Sequence, residues 1–463
     1  MAGRGRPANE CLRALIAEAG VSHKGLARRV VDLGKARGVV GLCYDHSSVG
    51  RWLGGEQPRE PVPELIAEVF TGLLARPVGV AEVGMTESRV PVDVGLVLAE
   101  TWDECVAAAV TLGRADVQRR RFLQDSAVTV SASSAVALRW LVTPACGPPQ
   151  RTGRRQVGES EVTAIGEVVR SYRELDNRLG GGRVRAPVID YLNAEVVPLL
   201  TDGSYSAATG AKLAAAAAEL AQLAGWMAYD SGLHGHAQRY LTLALSFARH
   251  AGDDGLGSEV LAAKAHQAVW LARPAEAVDL ARAAQASARR AGLGTLLTEC
   301  HVMEAHGHAA RNDAHACAKA LTQAEAAFDS AAREGDPGWL AYFDEAYLAA
   351  RMAHCFHALG EPAHAERYAR RSLDMDGRFV RGKAFNLSLL ATALADQDQV
   401  EQACAVGTQA LHLTGRLRSA RANRYVRDLQ RALRPRASEA VVREFNQRAA
   451  QCLPAAAVPA ARQ

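Results

Sequence analysis

Aromatic residues make up only 5% of the chain, and runs of β-branched residues are few while alanine is abundant. Sheets draw on aromatic and β-branched side chains, so this balance disfavours a β architecture and predicts an all-α protein of closely packed helices. The nine cysteines, at 11, 43, 105, 146, 300, 317, 355, 404 and 452, include no C-x-x-C pair. An odd, dispersed set is not a disulfide framework and fits a reducing, cytoplasmic setting. Long apolar runs are missing as well. The fairly apolar stretch 127–143 is interrupted by Arg139 and is short for a bilayer span. It follows Arg119-Arg120-Arg121 like a twin-arginine export signal, but inside the chain. An amphipathic or buried helix is the expectation there, with no membrane role. Residues 1–7 lead into Asn9 and Glu10 rather than an apolar core, so no secretory signal is expected at that point. Catalytic signatures are absent too: no G-x-x-x-x-G-K-[ST], G-x-S-x-G, H-E-x-x-H or post-strand Rossmann glycine run occurs. We expect neither an enzyme nor a cofactor.

Charge of one sign is scarce overall, at a formal +4, but it is unevenly spread. Residues 1–76 carry 11 basic and 8 acidic side chains, 161–409 carry 23 and 30, and 410–463 carry 11 and 3. An anionic partner therefore suits the ends better than the body. With 463 residues and 49% hydrophobic content, several cores are affordable.

Leu12, Leu15, Ile16 and Ala19 mark one helical face that stops at Gly20. Ser22 can cap a second helix carried by Leu26, Ala27 and Val30 and closed by Gly34. Asp45 can cap a third, with Val49, Trp52 and Leu53 inward, Ser47, Ser48 and Arg51 outward, and Gly54-Gly55 at its end. Trp52 is expected in the core rather than on a base. The pairs Leu65-Ile66, Val69-Phe70 and Leu73-Leu74 recur every four residues and make an amphipathic fourth helix.

The strings GLARRV and SSVGRWLGGEQPREPVPELIAEVF resemble, across residues 9–76, the lambda-repressor-like helix-turn-helix of the xenobiotic-response-element class. In that class a Leu-Ala on helix two precedes a recognition helix, a Gly turn, Pro and an amphipathic helix. Here the connection at 35–44 is longer than the usual tight turn. The resemblance implies binding to double-stranded DNA. A recognition helix enters the major groove by its first turns, which makes His46, Ser47, Ser48 and Arg51 the candidates for base edges. Lys24, Arg28 and Arg59 are the candidates for phosphates. The bland alternative is a bundle kept only as an interaction module.

These segments suggest a helix-turn-helix domain at 1–80, a helical connecting region at 81–143, a flexible Pro/Gly/Arg-rich linker at 144–160, a solenoid at 161–450 and a disordered tail at 451–463. The solenoid rests on a repeat. Small residues at Gly225, Ala265, Ala305, Ala353 and Ala391 are each followed twelve residues later by Ala237, Ala277, Cys317, Ala365 and Ala403, and seven later again by Ala244, Ala284, Ala324, Ser372 and Ala410. The units are 40, 40, 48 and 38 residues apart. This is similar to the tetratricopeptide pattern, in which small residues let two antiparallel helices touch, although the period exceeds 34. The whole order resembles a family of actinobacterial regulators that repress development and antibiotic production in Streptomyces. That resemblance implies a DNA-binding transcriptional regulator with a solenoid that senses a ligand or partner. The small footprint of one helix-turn-helix adds the expectation of a homodimer joined through the solenoid. The runner-up is a scaffold that sequesters another regulator without touching DNA.

In tetratricopeptide arrays the first helix of each unit lines the concave face. That register points Trp226, His266, His306 and His354 into a groove, with Glu219, Glu259 and Glu299 six positions before the small residue and Tyr229 and His357 four after it. An acidic, His-bearing groove would suit a peptide, small ligand or protein segment with a cationic group, each imidazolium being favoured by nearby carboxylates. A solvated polar face is the equal alternative. A third is that the basic stretch 416–448 folds onto the groove. His301, Glu304 and His308 share a helical face but match no established zinc spacing, so no metal is expected.

Overall fold

The computed structural model describes residues 8–36, 42–58, 62–85, 94–117, 132–144 and 146–453. Two compact units emerge, Met1–Val92 and Asp93–Gln463.

The first unit holds α1 (Glu10–Glu18), α2 (His23–Ala36), α3 (His46–Leu53) and α4 (Val62–Leu74). Leu12, Leu26, Val30, Val49, Ile66 and Phe70 are its closed core, with Trp52 buried among them. Asn9 serves two purposes at once: Oδ1 accepts from Leu12 N (3.0 Å) to cap α1, and Nδ2 donates to Val83 O (3.0 Å). The segment after α4 is thereby fastened back across α1, helped by Arg76, which pairs with Glu18 (3.1 Å) and Glu82 (2.7 Å). Helix α2 continues two residues past Gly34, the expected stop. A Cβ at Gly34 would lie 2.2 Å from Leu42 Cδ1, so this glycine serves close packing rather than helix termination.

In the second unit, α5 (Trp102–Val117) and α6 (Ala132–Val142) lie outside the repeats and anchor to them. Trp102 Nε1 donates to Tyr205 Oη (3.0 Å) and Trp140 Nε1 to Ser287 Oγ (2.6 Å). Arg119-Arg120-Arg121 fall outside the described residues, and among those described no helix is long and apolar enough to cross a membrane. The expected linker at 144–160 is not a boundary. Arg155–Gln156 (β1) pairs in parallel with Gly203–Ser204 (β2), and Arg151 bridges Tyr205. One of its glycines reports close contact: a Cβ on Gly153 would meet Asp202 O at 2.2 Å. The division falls instead after Val92, inside the expected connecting region.

Next come α7 (Glu159–Leu179), α8 (Gly181–Tyr191), a π-helical turn at Leu192–Val196 and α9 (Val197–Asp202). Five antiparallel pairs follow: α10 (Ala207–Asp230) with α11 (His234–Ala251), α12 (Asp254–Trp270) with α13 (Pro274–Ala291), α14 (Gly294–Ala309) with α15 (Ala314–Ser330), α16 (Glu345–Ala358) with α17 (Pro362–Arg371), and α18 (Val380–Ala395) with α19 (Val400–Thr414). They are the five units of the repeat. Ala265, Ala305, Ala353 and Ala391 are completely buried, and a side chain on Gly225 would strike Leu241 at 2.9 Å. Small residues at these points let the paired backbones approach, which is why the register is legible. Two more helices, α20 (Ala420–Ala432) and α21 (Ala440–Cys452), complete the unit. Gln451 and Cys452 thus end a helix, and 454–463 of the expected tail lie outside the described residues.

The array does not stay open. Gly182 N donates to Arg418 O (2.9 Å) and Arg418 N to Leu179 O (2.9 Å), so the strand entering α20 pairs with the α7–α8 junction. The run Gly180-Gly181-Gly182 makes room: Gly180 has φ +82, and a Cβ on Gly181 would lie 2.6 Å from Met227 O. Beside this seam Asp230, at the end of α10, is wholly buried and accepts from Arg421 Nε (3.1 Å), Ser419 Oγ (2.8 Å) and Gly181 N (2.9 Å). Arg381 of α18 reaches Asp176 of α7 (2.7 Å) and Asp230 (3.5 Å). The last helices of the array are therefore bonded to its first.

Candidate ligand cavity and candidate DNA-facing helix

Closure leaves a cavity of about 160 Å³ on the concave side of the repeats. Helices α7, α10, α12, α14, α16, α18 and α20 all contribute to its wall. One side is aromatic, with Trp226, Phe379, Phe385 and Tyr425. Across these rings lies Arg421, its guanidinium carbon 4.5 Å from the Tyr229 ring centroid, 4.8 Å from Phe385 and 4.9 Å from Trp226.

A second group is acidic. Tyr342 Oη contacts Glu259 Oε2 (2.9 Å) and also Glu299 Oε2. One phenol carries one hydrogen, so it can donate to only one of the two carboxyls, and the other must supply a proton itself. Glu299 also accepts from Tyr347 Oη (3.2 Å), while Gln222 Nε2 donates to Glu259 Oε1 (3.2 Å). Burial, reinforced by the neighbouring Glu299 charge, pushes the Glu259 carboxyl well above the ordinary carboxylate range, and burial raises Glu299 too. The two carboxyls, bridged by Tyr342, thus hold a proton between them.

The third group centres on Arg351 of α16, 5% exposed. Its Nη1 meets His266 Nε2 at 2.9 Å and its Nη2 meets His306 Nδ1 at 2.9 Å. A guanidinium cannot accept, so both imidazole nitrogens must, and His266 is left with its proton on Nδ1, facing Tyr229 Oη at 2.8 Å. His354 stacks on His306 with centroids 5.8 Å apart. Burial first, and the Arg351 charge second, hold His266, His306 and His354 well below the ordinary imidazole value. The expected imidazolium groove is thus inverted. The histidines are held neutral first by burial and then by a facing charge that is a guanidinium, not a carboxylate.

Of the groove residues expected from the register, Trp226, Glu259, His266, Glu299 and His354 line the cavity. Tyr229 and His306 lie behind the wall and touch it through His266 and Arg351. Glu219 turns to Arg173 of α7 (3.8 Å), because that helix covers the start of the array. His357, in the last turn of α16, faces Asp396 (3.5 Å) instead. Sequence reasoning missed Arg351, Tyr342, Arg381 and Arg421. Tyr342 had a signal: the 48-residue spacing between units three and four contains the extra segment, with two 3-10 turns at Arg333–Gly335 and Gly338–Leu340, that delivers it. The basic stretch 416–448 does contribute to the groove, through Arg421 and Tyr425. At the His301 face, Glu304 accepts from Arg282 Nε (2.8 Å) and Gln285 Nε2 (2.6 Å), and no group of three potential metal ligands occurs among the described residues.

In the first unit, α3 begins at a full capping box. Asp45 Oδ1 accepts from Ser47 N (3.0 Å) and Ser48 N (3.0 Å), and Ser48 Oγ faces Asp45 N. Hydrogen bonds from Ser47, then from Ser48, hold the Asp45 carboxyl far below its usual value. This corrects one candidate: Ser48, expected to face outward, is 3% exposed and spends its hydroxyl on the cap. His46 and Ser47 are exposed, Ser47 Oγ donating to Asp45 Oδ1 at 2.6 Å. Arg51 stands out at 59% side-chain exposure, loosely facing Glu56 at 4.0 Å. Trp52, on the opposite face, packs edge-on to Tyr44 with centroids 5.2 Å apart and fixes the helix to the core. Lys24 and Arg28 are exposed on α2, and Arg59 lies outside the described residues.

Residues 12–86 match the family model of the SP15 N-terminal domain. No curated protein matches the chain. Among solved structures, the apo form of the quorum sensor NprR from B. thuringiensis is similar at 14% identity and a TM-score of 0.39, over 75% of this chain and 83% of that one. The match to the SP15 N-terminal domain begins inside α1 and takes in α2, α3, α4 and the fastened segment of the first unit.

Proposed function

We propose that the protein is a cytoplasmic DNA-binding transcriptional regulator whose first unit meets DNA and whose closed solenoid senses a ligand or protein partner. The observation that carries the reading is α3: a short helix locked by a capping box and by Trp52, presenting His46, Ser47 and Arg51 outward. Such a helix places short polar groups and one guanidinium where a major groove would meet them. Lys24 and Arg28 on α2 supply phosphate contacts beside it. Two copies joined through the solenoid would read half-sites roughly 34 Å apart, one turn of DNA. No catalytic step belongs to this reading.

Electrophoretic retardation with genomic fragments at fixed salt tests it. Arg51→Ala is expected to cost about 1–3 kcal/mol of discrimination at one base pair. If no fragment is retarded even at low salt, the scaffold reading takes its place. Light scattering that finds only monomers, with and without DNA, would remove the homodimer.

A further inference from the structure

We propose that the cavity binds a small anion with a body of about one aromatic ring, held by Arg351. This rests on the reading of the solenoid as a sensor, and it names the ligand class. The cations on the wall differ in one respect. Arg381 and Arg421 are each bonded to a carboxylate, and Arg173 faces Glu219. Arg351 is the exception: among the described residues its partners are two neutral imidazoles and the Met303 thioether, and its Nε has none. A buried guanidinium bonded to no carboxylate, with Glu299 acting on it only through space, is an expensive feature to keep unless something anionic completes it.

Size and lining narrow the class further. A cavity of about 160 Å³ is comparable to the ~150 Å³ that accommodates one benzene ring. Trp226, Phe385 and Tyr425 offer ring faces for a flat apolar body. The acid cluster opposes a cation less than its formal charge suggests, since Tyr342 bridges two carboxyls of which one must be protonated. The cationic ligand expected from the sequence is therefore replaced by an anionic one.

The test uses three probes of one shape on the full-length protein: benzoate, benzamide and benzamidine. Binding is followed by Trp226-sensitive fluorescence and by thermal shift, at concentrations that saturate a millimolar site. Benzoate alone is expected to bind. Arg351→Met is expected to weaken it roughly ten- to hundred-fold, the range for a lost charged hydrogen bond, with Arg351→Lys intermediate. Equal or tighter binding of benzamidine, absence of any benzoate response, or unchanged benzoate affinity in Arg351→Met each overturns the proposal. Should Arg351→Met fail to fold, Arg351→Lys and the three-probe series decide alone. Retardation of DNA is scored separately. Benzoate binding without any effect on retardation rejects the sensor coupling but keeps the site, whereas retardation without benzoate binding rejects the site alone.

Discussion

Two buried guanidiniums line the same cavity and stand in contrasting company. Arg421 lies 3.1 Å from Asp230, which also engages Arg381, Ser419 and Gly181, so the charges at the seam are matched within one cluster. Arg351 has similarly little exposure but is bonded only to imidazoles and a thioether, with Glu299 acting on it through space. The comparison teaches that burial of a charge is uninformative until its partners are counted. A matched cluster fastens the fold, and an unmatched cation marks where something else belongs.

The largest effect should come from breaking the matched side. Asp230→Ala leaves Arg421 and Arg381 short of a carboxylate and is expected to destabilise the second unit by about 3–5 kcal/mol in urea unfolding. Overpacking the seam with Gly181→Ala is expected to cost about 1–3 kcal/mol by the same measurement. Arg351→Met, in unliganded protein, should be far milder, within about 2 kcal/mol of neutral, since relief of a buried charge offsets the acceptors left open on the two histidines. Loss as large as that of Asp230→Ala would erase the distinction and make Arg351 a structural residue.

Acidity sharpens the same contrast. His266, His306 and His354 are held below the unfolded imidazole value of roughly 6.5, so the stability they contribute is present above that pH and is lost as pH falls below it. Glu259 and Glu299 are raised, so theirs is present below the ordinary carboxylate value and is lost as pH rises. The opposed signs predict a stability maximum near neutrality in a pH series of urea midpoints, with the alkaline limb flattened in the Glu259→Gln, Glu299→Gln double variant. The smallest effect belongs to the exposed cations of the first unit. Arg28 lies 3.9 Å from Asp32 with 80% of its side chain exposed, so Arg28→Ala should leave stability unchanged while lowering the salt dependence of DNA retardation by about one ion.

Much of the frame was readable from the residues. The five helix pairs follow from small residues at Gly225, Ala265, Ala305, Ala353 and Ala391, because close helix contact demands them, and α3 follows from Asp45 and Gly54. The seam was not readable. Asp176 and Arg381 are 205 positions apart, and the local pattern of each helix carries no sign of the other. Glycine was misjudged for a related reason: at Gly34 and Gly153 it answers a close approach from a distant segment, which composition alone cannot separate from a stop or a linker. For the cavity, periodicity singled out Trp226, Glu259, His266, Glu299 and His354, which line it, but carried no sign of Arg351 and Tyr342, which arrive from the irregular fourth unit and set the charge they face.

Closure of the array also sets an order of events during synthesis. An open stack of repeats can fold as each pair leaves the ribosome, because every pair meets only its neighbours. Here the wall is incomplete until α20 brings Arg421 and Tyr425, long after α7 and α10 have emerged. A nascent or clipped chain ending before residue 420 would carry all five repeats and an intact first unit, yet have no chamber in which to hold a ligand. The chamber thus exists only in chains synthesised past α20.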